Sequence, residues 1–454
     1  MALDLTTPVQ LINSTEFSGV IKRLYSNYRE KFFPISDPIV AQLRKGKGAG
    51  PGNVRWGGEG VRFGAVMGRP LGVVANSSGV FGYSHTQAEK QGQIDIRRVY
   101  VTRTIDGLAA YGTTDKKAAY IAIATKLTEE AMDATTLFMS EAIHGDGRGI
   151  KATVTVAGTG SGGSPITVAN PYGITGAGQG GLLLDVGMQV AFLDSTGATI
   201  LHRAAITSVT NTGDNCVLTL DVAAGVAVAL NSLVVSATRA SASVDPAIAT
   251  SYNQHPHGLA QIMNRLGAYP VLHGIDASQA DSRRWTSTAL TATGIGANVA
   301  SCQEMDIWEL LTAVEARSGK SPKLNPNDFL LATTPGIERQ IGDNLLSQRR
   351  FMTDTKQTLQ GGYMAVTVCG LPLVSSGWAV SGEVKLIHKP SILFVDGKDW
   401  GMVEMNDSAS YRPIEGRDAF EFTFGSYMNI GAVSRISHGL LTGYTDTRRY
   451  SPVI

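Results

Sequence analysis

The first strong pattern along the chain is a long amphipathic helix before position 145. No Pro or Gly interrupts the chain from Asp115 to His144, Thr113 or Thr114 is a suitable N-cap, and Gly145 follows as a stop signal. At 1.5 Å per residue the predicted helix is roughly 45 Å long, so we expect it to act as a strut. Apolar and small residues recur at intervals of three and four and form one stripe: Tyr120, Ile123, Leu127, Ala131, Ala134, Phe138 and Ala142.

Alternation of apolar and polar residues before this helix predicts a long β-hairpin over 55–112. Its arms are Gly64–Val74 and Gln93–Ile105, and the second arm is rich in Ile, Val, Tyr and Thr. The tip, Asn76–Gly79, has turn-forming residues, and a change of apolar face at Arg97-Arg98 predicts a bulge or a strong twist. Because an isolated two-stranded ribbon is barely stable in water, the hairpin should lie on its own body or on a neighbouring copy.

Residues 1–54 form a predicted N-terminal arm. A short amphipathic helix is expected over 14–33, and the glycine-rich stretch Lys45–Gly52 is expected to be a hinge. Residues 1–69 carry ten basic and five acidic side chains, so this region has a net charge of about +5. Either it is a solvated arm, or it contacts acidic neighbours or the phosphates of packaged DNA.

Residues 151–245 have a different composition, with little charge and much Gly, Ser, Thr and Val. Short alternating runs around Val190 and Leu218 predict strands, and the loop Asn211–Asn215 joins two of them. The glycine-rich stretches 158–163 and 176–181 are predicted loops. The segment is therefore predicted to be a separate all-β domain, either a small barrel or a sandwich.

Residues 246–454 return to a mixed pattern. A helix is predicted near Gln303–Arg317, with Ile307, Leu311 and Val314 on one side and Gly319 just beyond its end. A strand at Phe329–Thr333 precedes a helix that begins near Pro335. Further strands are predicted near Ala365–Val368, Val384–His388, Ile392–Val395 and Phe420–Phe424. The pattern is typical of an α+β body with a mostly antiparallel sheet.

Composition adds two constraints. Charged residues make up 17% of the chain, below the usual quarter, so partners are expected to cover part of the surface. The net charge is +1, and Cys216, Cys302 and Cys369 lack a paired spacing, which favours a reducing compartment and apolar packing roles. We expect no secretory signal in Met1–Asp4 and no membrane span, because no segment approaches about eighteen uninterrupted apolar residues.

A search for catalytic and ligand-binding patterns predicts no enzyme, no catalytic residue, no cofactor and no metal. His255, His257 and His273 could bind a metal, but no Cys or Glu spacing completes the set. His144 and Asp146 lie among glycines, which favours a turn. The stretch Gly158–Gly163 is not followed by a helix, and Gly319-Lys320-Ser321 lacks the upstream glycine of a phosphate-binding loop.

The order of these elements resembles the major capsid proteins of tailed phages with the Hong Kong 97 fold. In that family an N-terminal arm, an extended loop, a spine helix and mixed peripheral and axial domains follow one another. Glu141–Gly149 resembles the end of the spine helix and its following turn, and Gly258-Leu259 resembles a step that in the family comes soon afterwards. Gly361–Val374 resembles an axial-domain stretch, and Gly416–Ile430 resembles the last strands.

The resemblance implies a Hong Kong 97-like α+β fold with an all-β domain inserted into the peripheral domain. The implied division is an arm over 1–54, an extended loop over 55–112, the spine helix over 113–150, the insertion over 151–245 and the remaining peripheral and axial parts over 246–454. The family's covalent crosslink uses a Lys on the loop, where Lys90 lies. No pattern marks its Asn partner, so a solvated Lys90 is expected.

The resemblance also implies a function. The chain would assemble with itself into hexamers and pentamers of an icosahedral head shell around double-stranded DNA, inside the host cytoplasm and then in the virion. Implied partners are a separate scaffolding protein, a portal, decoration proteins, and DNA by non-specific contact. The alternatives are an encapsulin-type nanocompartment shell of the same fold, a surface β-rich adhesin, and a hydrolase.

Overall fold

The computed structural model describes residues 37–45, 53–55, 60–69, 88–106, 116–238, 243–292, 301–349, 367–403, 412–414 and 416–446. The predicted arm helix at 14–33, most of the hinge at 45–52 and the hairpin tip at 76–79 lie outside these residues. The two candidate N-caps, Thr113 and Thr114, lie outside them as well.

The longest described helix is the strut that the sequence predicts. It has 27 residues, which corresponds to about 40 Å, and it ends at Ala142 rather than at His144. The chain turns there, and the Gly145 amide donates to the Ala142 carbonyl at 3.2 Å. The α-helices are α1 (Pro38–Lys45), α2 (Lys116–Ala142), α3 (Pro246–Ala249), α4 (Leu259–Ile262), α5 (Glu304–Ser318) and α6 (Pro335–Arg349).

The strands form a five-stranded sheet, a six-stranded sheet, two small hairpins and a closed barrel. They are β1 (Asn53–Arg55), β2 (Gly60–Val66), β3 (Glu89–Asp95), β4 (Arg97–Asp106), β5 (Ile150–Val156), β6 (Ile166–Ala169), β7 (Gln189–Leu193), β8 (Ile200–Thr212), β9 (Asn215–Leu220), β10 (Leu233–Ser236), β11 (Val271–Leu272), β12 (Ile275–Asp276), β13 (Thr288–Thr291), β14 (Phe329–Thr333), β15 (Thr367–Val368), β16 (Leu371–Ser375), β17 (Val384–His388), β18 (Ile392–Met402), β19 (Arg412–Pro413), β20 (Ala419–Ala432) and β21 (Gly439–Thr442).

The five-stranded sheet is organised by β20, its longest strand. Strands β18 and β19 pair antiparallel with one side of β20, and β4 pairs antiparallel with the other side. The predicted second hairpin arm, Gln93–Ile105, is therefore wrong as one arm. It breaks at Ile96, and the residues from Arg97 onward leave the hairpin to pair with β20 over ten positions. The predicted change of face at Arg97-Arg98 falls at this break.

The hairpin that remains is formed by β2 and β3, which pair in register from Gly60 opposite Asp95 to Val66 opposite Glu89. Its first strand begins four residues before the predicted start at Gly64. Gly92 lies under the Phe63 ring, where a Cβ atom would come within 2.8 Å of a ring carbon. The glycine thus allows the aromatic ring to lie flat across the ribbon.

The six-stranded sheet follows the order β13-β21-β17-β14-β16-β15 and contains two parallel and three antiparallel pairs. Helix α5 begins after Gln303, whose amide donates to the Asp306 carboxylate at 3.0 Å. It ends at Gly319, which has a left-handed φ of 69°. Local signals thus predicted this helix correctly, and its predicted apolar side, which includes Ile307 and Leu311, is fully buried against the sheet.

Residues 150–236 form the closed barrel, with the strand order β10-β5-β6-β9-β8-β7. Its core holds the alternating apolar residues of several strands, among them Val190, Phe192 and Leu218, which are all fully buried. The predicted loop at Asn211–Asn215 contains the tight turn between β8 and β9. The glycine-rich stretch 158–163 is likewise a loop, closed by a bridge between Ser161 and Ser164.

The barrel is packed against the rest of the chain through the crossover between β6 and β7. Tyr172, Ile174 and Leu182 on this crossover share an apolar cluster with Trp378 and Val380, which lie between β16 and β17. The Tyr172 hydroxyl donates to the Trp378 carbonyl at 2.8 Å. The barrel is therefore joined to the body by a buried contact and not only by its two chain connections.

The space around Gly431 in β20 and Gly342 in α6 predicts the outcome of a substitution at each of these glycines. Ile94 of the hairpin packs directly on Gly431, so a Cβ at this position would lie 2.8 Å from Ile94 Cγ1 and closer still to Cδ1. We expect G431A to lower the free energy of unfolding by about 1–3 kcal/mol through overpacking. Gly342 lies in α6 with open space around it, so G342A should raise the free energy of unfolding by about 0.5–1 kcal/mol.

Urea unfolding of both variants and of the wild-type chain measures these two changes. If G431A is as stable as the wild-type chain, Ile94 of the hairpin does not pack on Gly431 of β20 in the way described.

Candidate interaction surface

The hairpin presents one face to its own body and the other to solvent. Ala65, Met67 and Ile94 point inward and are buried, whereas Arg62 and Val66 are exposed. The Arg62 Nε atom donates to Gln93 Oε1 across the strands at 3.1 Å, so the outer face is held by polar pairs. Within the described residues the outer edge of β2 has no strand partner. The root of the ribbon therefore lies on its own body, while its outer face and edge remain available.

Lys90, the candidate crosslinking residue, lies on this hairpin in β3. Its Nζ atom is 2.5 Å from Asp281 Oδ2, and both side chains are about half exposed. This ion pair ties the hairpin to the body, and a half-exposed pair contributes little to stability. The expected solvated Lys90 thus has a partner within the same chain.

A second exposed feature is an apolar patch on α5 and the loop that follows it. Met305, Trp308 and Leu324 are 68%, 41% and 81% exposed, respectively. The Lys323 Nζ atom lies 3.8 Å from the centre of the Trp308 ring. Exposed Trp and Met side chains are enriched where proteins bind one another. We call these four residues the Trp308 patch.

The barrel has an exposed apolar group as well. The bonds from the Val154 amide to the Ser232 carbonyl and from the Val228 amide to the Gly158 carbonyl set the register of two antiparallel segments. Val156 and Leu230 lie between these bonds on the two segments, and both side chains are more than half exposed. The barrel therefore buries its core and still leaves large aliphatic side chains in solvent.

A buried hydrogen bond links the end of the arm to the end of α2. The Asp37 carboxylate accepts from the Ile39 amide at 2.8 Å, which caps α1, and its other oxygen lies 2.5 Å from His144 Nε2. Both side chains are fully buried. Burial lowers the pKa of His144, although Asp37 opposes the shift. We therefore assign a neutral His144 that donates its Nε2 proton to Asp37.

More charges lie beside this pair. The Arg265 Nε atom donates to Glu383, and the Lys385 Nζ atom is 3.4 Å from the second Glu383 oxygen. Lys151 of the barrel and Glu141 of α2 form a buried pair at 2.5 Å. With the Asp37 carboxylate there are three negative and three positive groups, so charges balance when His144 is neutral. The cluster connects the arm, α2, the barrel and the six-stranded sheet.

The three histidines considered as metal ligands are not arranged as a metal site. His257 and His273 come together with ring centres 5.3 Å apart, but His255 packs against Phe138 at 4.9 Å instead. Nowhere in the described part of the chain do three or more His, Cys, Asp or Glu side chains gather in a way that could hold a metal ion. His257 Nδ1 is engaged by Gln261, and the amide of Ala432 donates to His273 Nε2.

Asp146 is part of a turn, as expected, and it does not pair with His144. Its carboxylate accepts from the Arg148 amide at 2.9 Å and from the Tyr269 hydroxyl at 2.9 Å. Gly147 and Gly149 flank the turn with left-handed φ values of 81° and 73°. These contacts hold the chain as it passes from α2 into the barrel.

The cysteines are free thiols, and one of them is only partly buried. Cys216 and Cys302 are fully buried, and burial raises their pKa values to about 11 and about 12. Cys369 packs against the apolar core beneath α5 as expected, but it is only partly buried. It lies at the turn between β15 and β16 with a left-handed φ of 51°. Burial is still the main reason that its pKa is raised to about 11.

Sequence reasoning did not find two residues, one exposed and one buried. Trp308 lies in a correctly predicted helix, and a large aromatic residue off the apolar stripe is a signal that could have marked it. Arg435 is fully buried and contacts several backbone carbonyls, and no local sequence pattern predicts this role.

Among the described helices, none combines the length and apolar character needed to cross a membrane.

Neither a family model nor a curated protein matches the sequence. Among solved structures, a chain of the cyanophage A-1(L) capsid asymmetric unit aligns over 94% of this chain and 98% of that chain, with 12% identity and a TM-score of 0.52. The capsid of a native GTA particle aligns over 95% and 98% with 9% identity and a TM-score of 0.46. The holo-SrpI encapsulin complex from Synechococcus elongatus PCC 7942 aligns over 99% and 99% with 9% identity and a TM-score of 0.40.

The cyanophage alignment extends over nearly the whole of both chains. The chain therefore has the mixed helix and sheet fold of that capsid chain. The resemblance to phage capsid proteins that the sequence predicts is confirmed at the level of the fold.

Buried histidines predict a loss of stability in acid. Burial is the largest cause of a lowered pKa for six histidines: His144, His255, His257, His273, His388 and His438. Above pH 6.5 they are neutral in both states. Below it the unfolded chain binds protons that the folded chain does not, so each pH unit costs up to about 1.4 kcal/mol per histidine until the folded pKa is reached.

Urea midpoints between pH 7.5 and 4.5 measure this loss. His438 Nδ1 accepts from the His388 amide, and an Asn oxygen can replace that acceptor, so H438N should show a shallower pH dependence. H202N is the control, because His202 is only half-buried. Equal midpoints at pH 7.5 and pH 5 would contradict the prediction.

Proposed function

We propose that this chain is a major capsid protein of a tailed phage, which assembles with itself into hexamers and pentamers and forms an icosahedral shell around double-stranded DNA. The observation that carries the proposal is the fold shared with the cyanophage A-1(L) capsid chain over 98% of that chain. Because a fold alone does not determine function, the proposal also relies on the exposed surfaces of the subunit.

The surfaces fit repeated contact between identical copies. In a cyclic capsomer each interface joins two different surfaces, so one subunit needs at least two contact regions. The outer face and free edge of the hairpin at Gly60–Val66 are one candidate, and the Trp308 patch is another. A strand edge of this kind can accept a neighbouring backbone, and an exposed Trp can fill a pocket on the next copy.

The other parts of the chain have proposed roles in the same assembly. The basic arm over 1–54 contacts neighbouring subunits or packaged DNA. The barrel is an insertion over 151–245 that stabilises contacts between capsomers through exposed residues such as Val156 and Leu230. Scaffolding, portal and decoration proteins are the proposed partners, and assembly takes place in the host cytoplasm before the shell becomes part of the virion.

A second candidate function is the shell of an encapsulin-type compartment, which is also built from identical subunits of this fold. The two functions differ in their contents, since a virion shell encloses nucleic acid and a storage shell encloses protein cargo. Nucleic acid extracted from intact particles after nuclease treatment of their exterior would support the phage shell.

Self-assembly is the first test of the proposal. The purified chain should form closed particles or ring-shaped capsomers, because only other copies can cover the outer face of the hairpin and the Trp308 patch. Negative-stain electron microscopy and sedimentation velocity measure the outcome. A single small species that persists at high protein concentration would contradict a shell function.

The Trp308 patch predicts a more specific effect. W308A should abolish or strongly reduce particle formation, since truncating a central interface Trp typically costs about 2 kcal/mol or more per contact. The folded subunit should lose the contact with Lys323, which is worth about 0.5–1 kcal/mol at an exposed site, together with the packing of the covered part of the ring, since Trp308 is 41% exposed. W308F is the matched control, because it keeps an aromatic ring and should retain assembly.

Sedimentation and thermal unfolding of both variants measure assembly and stability separately. Normal particle yields for W308A would show that this patch does not lie between subunits.

A further inference from the structure

The hairpin root packs on β18 and on Gly431 of β20, and it also rests on a second segment of the body, residues 261–285, which we call the cradle. Its centre is the small hairpin of β11 and β12, whose turn is His273-Gly274. Both turn residues have left-handed φ values, 56° and 80°, as a two-residue hairpin turn requires. Trp285 closes the cradle and donates from Nε1 to the Leu272 carbonyl at 3.2 Å.

The hairpin contacts the cradle with both strands. Ala65 of the first strand and Met67, just beyond its end, share an apolar cluster with Ile275 and Trp285. The Gln93 amide of the second strand donates to the His273 carbonyl at 2.9 Å, and the ion pair of Lys90 with Asp281 adds a third connection. The Phe63 ring lies 5.9 Å from the rings of both His273 and Trp285. The orientation of the ribbon therefore depends on the shape of the cradle as well as on the packing of Ile94 against β18 and β20.

Arg435 holds the cradle in this shape. It follows β20, it is fully buried, and all five of its N–H donors reach backbone carbonyls. Nε donates to residue 262 at 2.8 Å, and Nη1 donates to residues 270 and 285 at 3.2 Å each. Nη2 donates to residues 261 and 269 at 2.7 and 2.9 Å. One guanidinium thus fixes both ends and the middle of the cradle.

No other side chain can make this set of bonds. Lys has three donors on a single atom, so at least two of the five carbonyls would lose their partner. No carboxylate pairs with Arg435 in the described residues, so the carbonyls alone compensate its buried charge. Burial lowers the pKa of Arg435 to about 9, and the group therefore remains charged at neutral pH. Such a buried cation is costly unless every donor is satisfied.

We propose that Arg435 is a positioning residue that, through the cradle, determines the direction in which the hairpin projects and hence which surface of a neighbouring copy it reaches. The contact with a neighbouring copy rests on the proposed shell function, whereas the direction of the hairpin is a property of the subunit alone. Arg435 is fully buried within the subunit and does not reach a neighbouring copy, so its effect on assembly is indirect.

Hydrogen exchange of the isolated subunit tests the positioning role. In R435K the amides of 61–67, 88–95 and 271–277 should exchange about ten- to a hundredfold faster, because unsatisfied carbonyls favour local opening. The amides of β14 and β17 should keep their wild-type rates. R203K in strand β8 of the barrel is the control, since Arg203 also donates to a backbone carbonyl, that of Ser243, and should leave the hairpin unaffected.

A second variant covers the case in which R435K fails to fold. M67A removes a hairpin contact with the cradle and leaves Arg435 intact, so it should accelerate exchange in 61–67 and 88–95 alone. Wild-type exchange in the hairpin of M67A, or uniform acceleration across the whole of R435K, would overturn the proposal.

Assembly is measured on the same samples. If the wild-type chain forms particles, M67A and R435K should form fewer or misshapen ones, whereas R203K should assemble normally. Normal particles from both M67A and R435K would overturn the proposed link between the direction of the hairpin and its contact with a neighbouring copy. If the wild-type chain forms no particles, the shell function fails, while the exchange data still decide whether Arg435 positions the hairpin.

Discussion

The pairing of β4 with β20 is the contact on which the rest of the structure depends. It joins segments far apart in the chain, as shown by the hydroxyls of Tyr100 and Tyr427, which are 327 positions apart and lie 3.4 Å from each other. The long helix, the barrel and five strands of the six-stranded sheet lie in the sequence between these two strands, and the sixth, β21, follows β20. The hairpin immediately precedes β4, so its root is placed at one end of the same sheet. A long-range closure of this kind carries a large entropic cost that packing must offset.

Two different arrangements of buried charge stabilise the junctions around this sheet. At the end of α2, acids and bases alternate and balance, with His144 neutral between Asp37 and Lys385. Beneath the hairpin, Arg435 has no acidic partner among the residues that the structure describes, and it is compensated by carbonyl dipoles. Both arrangements demand defined geometry, because a buried polar group without a partner is costly. They therefore favour rigid junctions between parts that a loosely packed apolar contact would leave free to shift.

The exposed features fit a subunit that other copies complete. The hairpin uses its inner face for its own cradle and keeps an outer face and a strand edge for contact. The Trp308 patch lies on α5, whose opposite side packs into a separate core. The same element thus has a buried side that secures the fold and an exposed side that is available for binding. A chain with 17% charged residues has few charges to solvate such surfaces.

Local signals in the sequence were sufficient for the elements whose ends are set by neighbouring residues. Helix α5 was predicted from its apolar spacing and Gly319, and the strand Val384–His388 was predicted with its observed bounds. The α+β character and the resemblance to phage capsid proteins also followed from the order of elements. Of the candidate surface, the sequence predicted a hairpin but neither the exposed Trp308 patch nor the cradle.

Only the tertiary structure decided where strands pair and which polar groups are buried. The arm predicted over Gln93–Ile105 divides because β20 offers a better partner to its second half, and β20 extends far past the predicted Phe420–Phe424. Gly425 and Gly431 interrupt the apolar alternation of β20, yet they leave the space that Tyr100 and Ile94 occupy. Periodicity and capping depend on residues close in sequence, whereas pairing and burial depend on residues hundreds of positions away, which no local pattern records.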